Sequence, residues 1–348
     1  MVKQPKPMGM KIYLFEHLCG GGMRNEDLPP DLVAQGQAML EAVATDFIKA
    51  GHHVTTTIDR RITLRVAGIH GIPIRPDSRL ESIFDRCVSS CDTTLIIAPE
   101  VHGLLTHWTR RLAATSKPSL GCQPSAVALC SDKLALCQHL QAMDLPTPPT
   151  GLFDPSTPPP WPAVIKPRMG AGCENTFTCK NNSDFNRLPP RSDWILQPRI
   201  RGVAASVSFI LHHGQITPLL AGHQQMNTQG TGPHRMEYCG GNIPLPQPLS
   251  KRAIALACRA TANIPGLNGF LGVDLILGTS SDQDYVVEIN PRLTLSYIAL
   301  RKLCATNLAM AIIDGQPAIS WSQNTASFNA AGHVSVHNQE AAHGTAGI

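Results

Sequence analysis

Three separated segments carry residue types suited to holding a polyphosphate and a hard metal ion. The run Val286-Val287-Glu288-Ile289-Asn290-Pro291-Arg292 reads as a strand, closely preceded by Asp274 within the apolar Phe270-Leu271-Gly272-Val273-Asp274-Leu275-Ile276-Leu277. Strand side chains alternate faces, which places Glu288, Asn290 and Arg292 on one side and Val287, Ile289 and Pro291 on the other. Mg2+ takes few protein carboxylates and completes its octahedron with water and substrate phosphates. Asp274, Glu288 and Asn290 are therefore the expected ligands, for Mg2+ or for Mn2+ in its place. An aspartate in an apolar strand is costly unless it finds such a partner or a wet surface hairpin.

Lys166 ends the strand-like Ala163-Val164-Ile165-Lys166-Pro167 and is followed by Arg168-Met169-Gly170-Ala171-Gly172-Cys173. Glycines in such a loop let backbone N–H groups approach phosphate oxygens closely. Lys133, in the first turn of a helix, supplies a second cation. A lysine at a strand end or in a first helical turn is also an ordinary solvated residue. The combination of two lysines, a glycine loop and a distant carboxylate set is what points to a nucleotide.

These groups need a scaffold of alternating strands and helices. Strands are expected at residues 12–15, 54–58 and 94–98, with a helix over 31–50 whose Leu32, Gln35-Gly36, Met39-Leu40, Val43 and Phe47 follow the 3.6-residue period and which Gly51 ends. That alternation predicts an α/β lobe with a mainly parallel sheet, a half-Rossmann unit. Ser131 is the expected N-cap of a second helix, with Leu136, Leu140 and Met143 on one face. Beyond the proline-rich 155–162, short strands at 163–167, 194–197 and 206–211 predict an α+β nucleotide lobe. The tail after Trp321 is polar and aperiodic, so disorder is expected there.

A chain of 348 residues with a formal charge of +4 exceeds one ordinary domain. Its 29 Lys and Arg are scattered, which argues against a nucleic-acid partner. The eleven cysteines include no Cys-x-x-Cys pair, and an odd count suits reduced cytoplasmic thiols better than a secreted disulfide framework. Residues 1–9 are expected to be flexible and show no export signal. Apolar runs such as Thr94-Leu95-Ile96-Ile97-Ala98 are strand length, so no membrane partner is expected. His102, His107, His212 and His213 lack a zinc-ligand spacing.

The order of these motifs resembles the ATP-grasp superfamily of carboxylate-amine ligases over most of the chain. The residues that carry the resemblance are Asp132-Lys133, Val164-Ile165-Lys166-Pro167, the Gly170-Ala171-Gly172 loop, Leu196-Gln197, Gly202, Ser206-Val207, Asp274 and Glu288 to Arg292. It implies a pre-ATP-grasp lobe over 10–125, ATP-grasp subdomains over 126–200 and 201–320, and a tail over 321–348. ATP would lie between the two subdomains. Lys133, Lys166 and residues Gly170, Ala171 and Gly172 would meet its phosphates, and Leu196 and Gln197 would border adenine. Asp274, Glu288 and Asn290 would hold Mg2+, and Arg292 would stabilise the transferring phosphoryl group. Pro198 and Ala204 stand where many members carry acidic residues, and Pro198 has no N–H for adenine.

Longer strings, Gly170-Ala171-Gly172-Cys173-Glu174, Tyr238-Cys239-Gly240-Gly241-Asn242, Asn290 to Tyr297 and Phe15-Glu16 with Gly20-Gly21-Gly22, look like the tyramine-glutamate ligase branch. That resemblance implies amide formation between glutamate and tyramine or tyrosine through an acyl phosphate, in assembly of a methanofuran-type one-carbon carrier. The alternatives are an amino-acid or peptide ligase using another amine, and a non-catalytic nucleotide-binding regulator. Glu16, Gly20, Gly21, Gly22, Glu100 and Tyr238 are the candidate substrate contacts. Glu16 has two readings, a partner for a substrate ammonium or a loop-packing group. Glu100 ends an α/β strand, where ligands tend to bind. Tyr238 belongs to a loop that either closes over the acceptor or is plain mobile surface. The sequence leaves homo-oligomerisation open.

Overall fold

The computed structural model describes residues 9–154, 156–157, 159–189, 192–315 and 319–338. All but the last residue of the segment expected to be flexible at the N-terminus lies outside them. The first lobe runs β1 (Lys11–Glu16), α1 (Pro30–Lys49), β2 (His53–Asp59), β3 (His70–Ile74), α2 (Leu80–Ser90), β4 (Thr93–Ile97) and α3 (Leu104–Ala113). Its four strands are parallel in the order β3-β2-β1-β4. β1 and β4 are buried on both faces, which is why they read as continuous apolar runs. Proline at the start of α1 and Gly51 at φ +93° just after it fix that helix where its periodicity places it. The chain leaves β1 toward β2 and β3, then returns to the other side of β1 as β4. The gap between the carboxyl ends of β1 and β4 is therefore the switch point of the sheet.

Two helices follow, α4 (Pro124–Ser131) and α5 (Lys133–Ala142). Asp132, not Ser131, caps α5: its carboxylate accepts from the N–H groups of Leu134 and Ala135. The Ser131 hydroxyl is buried with no hydrogen-bond partner among the described residues. Leu136 and Leu140 are buried as expected, but Met143 lies exposed where the helix has ended.

Among the described residues the second sheet has eleven strands: β5 (Gly151–Leu152), β6 (Ala163–Pro167), β7 (Phe177–Cys179), β8 (Trp194–Pro198), β9 (Val203–His212), β10 (Gln215–Gln229), β11 (His234–Ile243), β12 (Gly269–Leu277), β13 (Tyr285–Asn290), β14 (Thr325–Asn329) and β15 (Val334–His337). α6 (Asn182–Phe185) follows β7, α7 (Leu249–Ala262) precedes β12, and α8 (Tyr297–Leu303) and α9 (Leu308–Asp314) follow β13. The main path is β13-β12-β9-β10-β11-β7-β6-β8-β5, with every pairing antiparallel. The tail departs from the expectation of disorder. β14 pairs with β11 and with β15, and Ala326 and Phe328 alternate into the core. Two apolar residues two positions apart suffice for an added strand once a partner edge is present, and composition does not reveal that edge. Residues 339–348 of the tail lie outside the described part.

Among the described residues, three apolar cores organise the fold. One joins Tyr13, Phe15, Phe84 and Trp108 of the first lobe to Val207, Phe209 and Val273 of the large sheet. A second joins Ile12, Leu14 and Phe47 to Leu293, Leu295 and Tyr297. The third is separate and small, formed by residues of 153–194 such as Ile165, Phe185 and Trp194. Residues of the segment 126–200 contribute to two of these cores. Ala126, Val127 and Leu136 of α4 and α5 pack in the first core, and the strands around Lys166 have a core of their own.

Candidate active site

Asp274 on β12 and Glu288 on β13 are direct cross-strand partners, and Gly272 faces Asn290. The register then passes from Asp274–Glu288 to Leu275–Val286, so Val287 is left without an opposite residue, a bulge. This corrects the simple alternation along 286–292: Val286 and Ile289 are the buried pair, and Val287 is only half-buried. Asp274 accepts hydrogen bonds from Gln224 Nε2 at 2.9 Å and Asn290 Nδ2 at 3.0 Å. Burial first, and the charge of Glu288 second, push its carboxyl up to about 7. Two carboxylates held opposite each other in a half-buried sheet suit a hard divalent cation between them. Among the described residues no group of three or more His, Cys, Asp or Glu side chains forms a metal cage. Asn290 Oδ1 and phosphate oxygens would have to complete the set, which is the manner of Mg2+.

Both lysines reach this cluster. Lys133 Nζ donates to the Gly170 carbonyl at 2.7 Å and lies 3.4 Å from Glu288 Oε1. Its backbone N–H donates to the Arg168 carbonyl, which ties α5 to the loop after β6. Arg168 in turn grips Asp132 with two hydrogen bonds, of 2.7 and 2.5 Å. Burial works against the Asp132 charge, but Arg168 and the helix amides hold its carboxyl below the usual range. Lys166 is 7% exposed, and its ammonium has no hydrogen-bond partner among the described residues. Burial lowers its pKa against the opposing pull of Glu288, and the charge of Lys133 adds to the lowering. In the loop, Gly172 takes φ +64° with open space beside it, and Cys173 follows at φ +62°. The Cys173 thiol is pushed up to about 12, by burial and then by Glu288.

Arg292 is claimed by the first lobe. Its Nε and one terminal nitrogen donate to the two oxygens of Glu100, each at 2.8 Å, and the other terminal nitrogen reaches the Leu293 carbonyl at 3.3 Å. Burial works against its charge and Glu100 outweighs it. Glu100 is 2% exposed, so its carboxylate orients Arg292 and is not the open substrate contact expected from its strand-end position. Glu16 takes the packing reading: Oε2 accepts from the Cys19 N–H at 2.6 Å, and a Cβ on Gly36 would sit 2.8 Å from its carboxylate. Gly20, Gly21 and Gly22 are likewise explained by crowding. Side chains there would collide with Thr57, Ile74 and the His17 ring, and Gly21 also has φ +91°.

Gln197 spends its amide on Thr150 Oγ1 at 2.8 Å, and with Leu196 half-buried in β8 the pair offers adenine chiefly backbone. Tyr238 lies half-buried on β11; burial, then the charges of Asp274 and Cys173, raise its pKa. Gln224 was not visible as a site residue, since nothing in its neighbourhood marks the one glutamine of β10 that faces Asp274. A chain from Ser208 through Ser296 to Thr294, both links 2.8 Å, anchors the turn after Arg292 to β9.

Residues 130–296 match the ATP-grasp domain family, and residues 52–127 match the pre ATP-grasp 3 domain. The tyramine–L-glutamate ligase of Methanocaldococcus jannaschii is 24% identical over 296 residues, covering 83% of this chain and 84% of that one. The enzyme of the same name from Methanocaldococcus fervens is 25% identical, covering 83% and 89%. Among solved structures, an ATP-grasp superfamily protein from Archaeoglobus fulgidus superposes with a TM-score of 0.72 at 24% identity, over 92% of each chain. An L-amino acid ligase from Bacillus licheniformis gives 0.69 at 13% identity, over 92% of this chain and 80% of its own.

Proposed function

The chain belongs to the ATP-grasp ligases, and from that premise we propose that it joins the side-chain carboxylate of glutamate to tyramine, or to the closely similar tyrosine. The observation that carries the ligase reading is the pair of buried lysines beside facing carboxylates, with the Lys166 ammonium lacking a hydrogen-bond partner among the described residues. A buried cation of that kind calls for an anion, and a polyphosphate with its metal supplies one. The choice of glutamate and tyramine rests on the relatives that bear those substrates in their names. A role in making a methanofuran-type one-carbon carrier belongs to the same proposal and rests on the sequence resemblance alone. All eleven cysteines are unpaired, which suits the reducing cytoplasm. No helix among the described residues is long and apolar enough to cross a membrane.

In this reading Lys133, Lys166 and the backbone of residues 170–172 hold the phosphates of ATP. Asp274, Glu288 and Asn290 hold Mg2+, which supplies charge neutralisation to the phosphate oxygens. A glutamate carboxylate oxygen attacks the γ-phosphorus, the bond to the β-phosphate oxygen breaks, and ADP leaves with its electron pair. Arg292, fixed by Glu100, stabilises the charge of the transferring group through the nitrogen that Glu100 leaves free. The amine then attacks the acyl phosphate, loses a proton, and expels inorganic phosphate as the amide forms. No enzyme nucleophile is required.

Incubation with ATP, Mg2+, glutamate and a panel of amines, read as ADP release and product mass, tests this. Amide formation with tyramine or tyrosine is expected. ADP formation only with another amine would replace the pair by a different ligase reaction. ATP binding with no amine-dependent phosphate release would favour a nucleotide-binding regulator.

A further inference from the structure

A cavity of about 360 Å³ opens in the first lobe and is lined by His17, Arg24, Glu81, His102, His107 and Trp108, with Leu80 and Leu104 as apolar wall. His17 follows the end of β1, and His102 follows the end of β4, so the cavity lies at the switch point of the parallel sheet. None of the metal, lysine or loop residues lines it. Three observations define what it can hold.

The first is the His17 imidazole, which is 6% exposed. Trp108 Nε1–H donates to its Nδ1 at 3.1 Å, so in the neutral ring Nε2 carries the proton. That Nε2–H has no acceptor among the described residues. The ring packs against Gly22, where a Cβ would fall 2.2 Å from it, so the chain leaves out a side chain to seat this ring. The second is Arg24, whose Nε is spent on the Ser78 carbonyl at 3.0 Å and whose terminal nitrogens have no partner among the described residues. A buried donor and a half-free guanidinium on one cavity call for an acceptor, and a carboxylate serves both. The third is Glu81, the one carboxylate on the lining, which offers a place for a cation.

We propose that this cavity binds the head group of a free amino acid, its carboxylate on His17 and Arg24 and its ammonium toward Glu81. The volume is at the small end for ligand pockets, of order 300–1,000 Å³, and suits a molecule of amino-acid size. Naming glutamate as the occupant rests on the ligase reading; the site itself does not. Tyramine lacks the carboxylate and glutarate lacks the ammonium, so both serve as controls.

The test uses the full chain without ATP. The Trp108 indole N–H resonance, assigned with Trp108→Phe, is followed during titration with L-glutamate, with a neutral and a basic L-amino acid, and with glutarate and tyramine. L-Glutamate should shift it saturably, glutarate more weakly, and tyramine not at all. Arg24→Gln and His17→Phe should each weaken glutamate binding by at least about tenfold, the scale of one charge-assisted hydrogen bond. Arg24→Gln keeps the test decisive if the buried His17→Phe does not fold. No saturable shift with any amino acid, an undiminished affinity in Arg24→Gln, or glutarate binding as tightly as glutamate would overturn the proposal. In turnover assays, a raised KM for glutamate with unchanged KM for ATP in Arg24→Gln assigns the site to the substrate. Lost binding with an unchanged glutamate KM assigns it to an effector amino acid, and either result supports the site. Since the titration needs no turnover, it stays readable if glutamate and tyramine prove not to be the ligase substrates.

Discussion

Arg292 gives two nitrogens of its guanidinium to Glu100 and keeps the remaining one near the Leu293 carbonyl, a geometry that points one donor at a fixed place. A group placed for the transition state affects kcat more than ground-state affinity. Arg292→Ala is therefore expected to lower kcat by about 10²–10³-fold, the loss typical of one preorganised donor, while the KM for ATP changes by less than about threefold. Glu100→Gln should lower kcat by a smaller factor, because the amide keeps the shape and loses the charge. Equal losses in kcat and ATP affinity in steady-state kinetics would contradict the assignment. His17 makes a separate prediction. Burial, then the charge of His107, lowers its pKa to about 4, against roughly 6.5 in an unfolded chain. Between those values the unfolded chain binds more protons, so stability falls as the pH drops from about 6.5 toward 4 and no further on this account below that. The loss is of order 3 kcal/mol at most. Thermal melts across that window should show the slope, flattened in His17→Gln; a slope unchanged by the substitution would remove His17 as its source. Arg24, Glu81, His102 and His107 are the other charged or ionisable side chains that line the same cavity.

At the scale of elements, the junction of α5 with the loop after β6 fixes the base of Lys133, the proposed phosphate contact. Asp132 caps α5 and holds Arg168, and the Arg168 carbonyl accepts from the first N–H of the helix, on which Lys133 stands. Asp132→Ala removes the cap and the ion pair together. It should cost about 1–2 kcal/mol by chemical denaturation and raise the KM for ATP, because Lys133 loses its fixed base. Asp132→Asn restores the cap without the charge, so its stability should recover in large part while the KM stays raised. A wild-type KM in both variants would detach Lys133 from the phosphates. The capping residue was within reach of the sequence, since Ser131 and Asp132 are both good caps. What chose Asp132 was Arg168, thirty-six positions away, and no local pattern reports that contact.

At the scale of the whole molecule, a polar clamp ties the first helix to α8 and to the start of α9. Asp46 on α1 accepts from Tyr297 Oη at 2.7 Å and from the guanidinium of Arg301, and its backbone carbonyl accepts from Asn307. Asp46→Ala leaves Arg301 largely buried and unpaired, so denaturant unfolding should show a loss of about 3–5 kcal/mol. Arg301→Met paired with Asp46→Leu should recover much of it, and a single variant of near wild-type stability would show that the clamp holds little. This clamp and the shared apolar cores join lobes that the chain visits hundreds of residues apart. The sequence by itself determined the chemistry of each segment: oxygen ligands in apolar strands, a lysine before a glycine loop, and the helix and strand periods that carry them, because these signals are set by neighbours a few residues away. Only the tertiary structure decided which groups meet. Gln224 reaches Asp274 across 50 positions and Glu100 reaches Arg292 across 192. The tail became strands because β11 offered an edge, and His17 became the donor of a cavity because Trp108 fixed its tautomer. Such pairings depend on chain-distant burial and register, and no local spacing encodes them.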